Sequence, residues 1–84
     1  MPHSIEFCVV SVHNQADVKR NALHVVEKLM ARKDVAVSTF VDEQRRLFLT
    51  LTSTGQAETI SSDDFRQKMR NYAPGMSLLL RSSD

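Results

Sequence analysis

The chain switches between two hydrophobic rhythms. Residues 4–12, Ser-Ile-Glu-Phe-Cys-Val-Val-Ser-Val, are rich in β-branched and aromatic side chains and read as a first strand. The period then lengthens. Val18, Ala22, Val25 and Leu29 recur at helical spacing, and Leu23, Val26 and Met30 widen the stripe. Asn14 offers an N-cap, and Asp17 places an acid near the positive end of the helix dipole, so the first helix is expected over about 14–33. Alternation returns at 35–41, Val-Ala-Val-Ser-Thr-Phe-Val, and again at 46–52, Arg-Leu-Phe-Leu-Thr-Leu-Thr. Between them Asp42-Glu43-Gln44-Arg45 makes a four-residue hairpin connection.

A loop from Ser53 to Glu58 leads to a second helix, expected over 61–72. Ser61 is its N-cap, and Ile60 stands where a hydrophobic staple would clasp Phe65. Phe65, Met69 and Tyr72 form its inward stripe. Ala73-Pro74-Gly75 ends it, because proline disfavours a helical residue before it and glycine tolerates the turn. The last strand is 76–81, Met-Ser-Leu-Leu-Leu-Arg.

This β-α-β-β-α-β order predicts one α+β domain over residues 1–84, a ferredoxin-like two-layer sandwich. Its antiparallel sheet has four strands, with strands 1 and 3 central and both helices on one face. Many unrelated activities share that architecture, so function has to be argued from particular side chains.

The face without helices is the first place to look. If Leu47, Leu49 and Leu51 point to the core, then Phe48, Thr50 and Thr52 point away from it. By the same alternation Val35, Val37, Thr39 and Val41 point inward and Phe40 outward. Leu78 and Leu80 share one face, with Leu79 on the other. Strand 1 is apolar on both sides, Ile5, Phe7 and Val9 on one and Cys8, Val10 and Val12 on the other. Phe40, Phe48 and Leu79, with Thr50 beside them and part of strand 1, therefore form an expected interaction surface. A contiguous apolar patch of this kind is seldom left wet. Neither edge strand contains a proline or lysine to discourage pairing. A protein partner, most simply a second copy, is expected over the open face or along an edge; a loop or terminus folded over the face is the plainer alternative.

Composition sharpens this reading. A chain of 84 residues removes only roughly 60 % of its unfolded surface from water on folding, and small domains commonly rely on disulfides, metals or association. One cysteine forms no internal disulfide, and one cysteine with three histidines makes no structural zinc set. No metal or other cofactor is expected. Lys and Arg number 11 against 10 Asp and Glu, a net charge of +1, which is not the profile of a polybasic nucleic-acid binder. No apolar run approaches the ~20 residues of a membrane span, and the N-terminus lacks the pattern of a secretory signal, so a reduced, cytoplasmic protein is expected.

Catalytic chemistry is thin. Cys8 lies mid-strand among apolar neighbours and reads as a small buried hydrophobe. His24 falls opposite the apolar stripe of helix 1 and reads as solvated. His13 and Asn14, in the loop at the end of strand 1, are the candidate ligand contacts. Gly55 and Gly75 stand alone, so no phosphate-cradling glycine loop is present. Asp42-Glu43 reads as turn material, and Asp63-Asp64 as first-turn acids. The expected role is non-enzymatic.

Two binding classes share the layout. The RNA-recognition module stacks bases on aromatics of its central strands, where Phe7 and Phe48 stand here beside Arg45-Arg46. Its third-strand signature has small residues among several aromatics, however, and "RRLFLTL" has one aromatic among leucines. The element order also resembles that of amino-acid-sensing domains of the ACT type, which dimerise through their sheets; that resemblance implies a small-molecule regulatory role. The turn "HNQADV" stands where such domains carry an Asp-x-Pro-Gly-like turn, and lacks that pattern.

Overall fold

The computed structural model describes residues 3–54 and 60–83. The order is β1 (His3–Ser11), α1 (Gln15–His24) continuing into a π-helical turn (Val25–Leu29), β2 (Val35–Val41), β3 (Leu47–Ser53), α2 (Ser62–Tyr72) and β4 (Met76–Ser83). The strands form one sheet in the order β2-β3-β1-β4, each neighbour antiparallel, with β1 and β3 central as expected. The chain is a two-layer α+β sandwich of ferredoxin-like topology. Most of the expected loop from Ser53 to Glu58, including Gly55, lies outside the described residues.

The core forms where helical and strand rhythms meet. Val18, Ala22, Val25 and Val26 from the first helix and Phe65 and Met69 from the second pack on Ile5, Phe7, Val9, Val35, Leu49, Leu51 and Leu78. Both helices therefore cover the same face. The ambiguity of β1 resolves accordingly: Ile5, Phe7 and Val9 go inward, and the Phe7 ring stacks on Phe65 at 5.5 Å between centroids.

The helix starts follow their local signals. Asn14 Oδ1 accepts the Asp17 N–H at 2.8 Å, and Ser61 Oγ accepts the Asp64 N–H at 3.2 Å. Ile60 and Phe65 are both buried in the core, the arrangement of a hydrophobic staple. At the far end of α2, Gly75 adopts φ +90, which favours glycine, and an added Cβ would meet Val12 Cγ2 at 3.2 Å.

The end of the first helix departs from expectation. Met30 N–H donates to Val25 O, a span of five residues, at 2.8 Å. This widened turn shifts the stripe by one position: Leu29 is 44 % exposed, and Met30 packs on the core in its stead. Ala31 then takes φ +54, so the helix stops short of residue 33. Leu23, expected in the stripe, lies at its exposed margin. Tyr72 is not buried either; it is 43 % exposed and stacks on His24 at 4.4 Å. His24 is thus half-buried at the junction of the two helices rather than solvated. Val41 and Leu80 are exposed as well, although both alternate with the core-facing set, because each lies on an edge strand where helical cover runs out.

Candidate interaction face

The sheet register turns the outward residues into a line. Phe40 pairs with Phe48, Phe48 with Cys8, and Cys8 with Leu79. A single apolar row therefore crosses all four strands in the order β2, β3, β1, β4. Cross-strand partners of this kind stand about 4.5–5.5 Å apart, so the row is continuous. Phe40 is 62 % exposed and Leu79 57 %. Val10 extends the apolar surface along β1 and is also exposed, as is Val12 just beyond the strand. On the other side of the row Ser38, Thr50 and Glu6 form a polar neighbour row, so Thr50 borders the apolar line and is not part of it.

Phe48 does not stand free. It faces away from the helices, yet it is only 8 % exposed. The Phe40 ring lies 6.3 Å from it, and the guanidinium carbons of Arg46 and Arg81 sit 5.7 and 5.1 Å from its centroid. Arg81 reaches over from β4, past the intervening β1, to do this. Both arginine side chains remain solvated, so each contact contributes about 0.5–1 kcal/mol. Cys8 is half-exposed in the middle of the row, with a free thiol, rather than buried as its neighbours in sequence suggest.

The turn that positions Arg46 is built by Asp42. Its carboxylate accepts the N–H groups of Gln44 and Arg46 at 2.9 and 2.8 Å and the Arg46 Nε–H at 2.7 Å. Arg45 N–H donates to Asp42 O, and Arg45 takes φ +63. The hairpin connection is therefore five residues, 42–46, one longer than the four expected. Desolvation pushes the Asp42 carboxyl upward. The Arg46 N–H, the Arg46 guanidinium and the Gln44 N–H outweigh that and hold it below the ordinary carboxylate range. Asp34 is held low mainly by its hydrogen bonds from Arg32, at 2.8 and 2.9 Å, against a smaller desolvation effect.

Asn14 Oδ1 is engaged in the cap, and His13 Nε2 lies 3.2 Å from Pro74 O. Phe7 is in the core, so Phe7 and Phe48 do not share the open face. Asp63 and Asp64 occupy the first turn of α2 and pair with Arg66 and Lys68. Among the described residues no group of three His, Cys, Asp or Glu side chains gathers to hold a metal. No helix among them is long and apolar enough to cross a membrane.

Two signals were absent from the sequence reading. Arg81 gives no hint that it covers Phe48, since the two meet only through the strand order. Val10 could be assigned to the open face only once the register of β1 was known. Compared with family models, curated proteins and solved structures, the chain matches none.

Proposed function

We propose that this chain is a non-enzymatic protein-interaction module that pairs with a second copy of itself through the open face of the sheet. The observation that carries this reading is the continuous Phe40–Phe48–Cys8–Leu79 row, exposed at both ends. The row is also self-complementary. A two-fold axis running between two such faces, parallel to the strands, reverses the strand order. Phe40 of one copy then lies over Leu79 of the other, and Phe48 over Cys8. Glu6 alternates with the inward Ile5 and Phe7, so its carboxylate is on the open face, one row from Phe48. In the paired arrangement it is placed to take up the Arg81 guanidinium as the other copy's Phe48 releases it. Stacked sheets of this kind sit about 10 Å apart with strands inclined by roughly 30°.

Magnitude sets the strength. Four strands at ~4.8 Å and seven residues at ~3.3 Å each give a face of a few hundred Å². Stable interfaces cover about 800 Å² per partner, so this pairing belongs to the weak, concentration-dependent class. Sedimentation velocity over a range of concentrations tests it. The wild type is expected to shift from monomer to dimer, and Phe40→Asp to remain monomeric. Phe40 is the better position to change than Phe48, because an acid replacing the covered Phe48 ring would also disturb the sheet. A wild type that stays monomeric at every concentration would overturn the proposal.

A further inference from the structure

Beside the apolar row the sheet has a gap. β1 and β3 pair from His3 with Ser53 to Val9 with Leu47 and stop there, whereas β1 continues to Ser11 paired with β4. Beyond Leu47 the chain is already in the 42–46 turn, so a groove takes the place of a neighbouring strand. Its volume is about 560 Å³, within the range of roughly 300–1,000 Å³ that small-molecule sites occupy. Val10, Val41 and Leu47 supply an apolar wall; His13, Arg45 and Arg46 stand around it.

The charged groups that line it are both arginines. Among the described residues no acid lines the groove. Asp42, in the same turn, spends its carboxylate on the backbone of Gln44 and Arg46 and on Arg46 Nε. Arg45 makes no ion pair among the described residues, and its backbone holds φ +63, a conformation that favours Gly or Asn. His13 is anchored through Nε2 against Pro74 O, which leaves Nδ1 unengaged by that contact. Arginine forks match planar or tetrahedral oxyanions, and apolar walls favour a hydrocarbon or ring.

We infer that this groove binds a small oxyanion carried on an apolar body, a carboxylate or a phosphate monoester. The Arg45 guanidinium is its principal contact, Arg46 and His13 flank it, and the apolar part lies on Val10 and Val41. The inference is independent of self-association. Because the groove borders the dimer row, its test uses the Phe40→Asp variant, in which pairing plays no part.

Titrations of that variant with phenylacetate, phenyl phosphate, phenethyl alcohol and inorganic phosphate, followed by backbone amide shifts, make the test. Phenylacetate or phenyl phosphate is expected to shift Val10, Ser11, Arg45 and Arg46 saturably, and the tighter of the two identifies the oxyanion. The neutral alcohol and the bare phosphate should each bind about ten-fold more weakly or worse, since each lacks one half of the recognition. Arg45→Gln should weaken the tighter ligand by about ten-fold, and Val10→Glu, which sets a carboxylate in the groove, should abolish binding. The amide spectrum itself reports that each variant is folded. Equal binding of the alcohol, shifts centred on Leu79, an unchanged affinity in Arg45→Gln, or no saturable shift at all would each overturn the inference.

Discussion

Phe48 and Leu49 are adjacent in β3, point to opposite faces of one sheet and are both nearly inaccessible to water, at 8 % and 0 % exposure. They are closed off by different materials. Leu49 is sealed by carbon, the side chains of two helices packed at crystal-like density. Phe48 is sealed by one exposed ring and two arginine side chains. Packed carbon leaves only by unfolding. Arginines laid over a ring trade a modest cation–π attraction against their hydration and can be displaced by a partner. Burial alone therefore does not separate a core from an interaction face, whereas the nature of the cover does.

That contrast can be broken or sharpened at named positions. The largest effect is expected from Phe65→Ala, which opens the helix-covered side. Phe→Ala changes in cores cost about 3–5 kcal/mol, against a total stability of about 5–15 kcal/mol for a domain, so urea unfolding should show a protein near collapse. Phe40→Asp removes the ring that stacks on Phe48 and should cost about 0.5–1.5 kcal/mol, the size of one aromatic pair, while weakening self-association at least about ten-fold. If instead it unfolds the protein, the open face is a second core and the contrast fails.

Arg81→Ala sharpens the comparison further. It should lower stability by about 0.5–1 kcal/mol in thermal unfolding, the size of one cation–π contact, with Arg46 still in place. The smallest effect concerns pH. The folded Asp42 carboxyl titrates below its unfolded value, so the folded state binds fewer protons in that window and stability rises with pH. The contribution is complete above the unfolded value of about 3.9 and is lost as pH falls through the lower folded value. Asp42→Asn should therefore be less stable than wild type near neutrality, with the gap closing on acidification; denaturant midpoints across the acid range check it.

Much of the fold was legible because its signals are local. Asn14 and Ser61 cap the helices by reaching three residues ahead, and Ile60 and Phe65 lie five residues apart. The strand alternation of Leu47, Leu49 and Leu51 separates the two faces without any tertiary information. What escaped the sequence depends on geometry between distant segments or on a one-residue change in helical winding. The exchange of Leu29 for Met30 follows from the five-residue hydrogen bond to Val25 O, which the periodicity of apolar residues does not reveal. The stacking of His24 on Tyr72 and the reach of Arg81 to Phe48 join residues that only the packed fold brings together. At the candidate face Phe40, Phe48 and Leu79 were visible as outward positions. Their alignment with Cys8 into one row needed the register of all four strands.

Cys8 lies at the centre of that row and carries a free thiol, so its alkylation rate reads the face itself. Measured with iodoacetamide across the micromolar to millimolar range of protein, the rate should fall as concentration rises, and in Phe40→Asp it should not change. A wild-type rate independent of concentration throughout would contradict pairing through the open face, including the case in which copies join only along their edge strands.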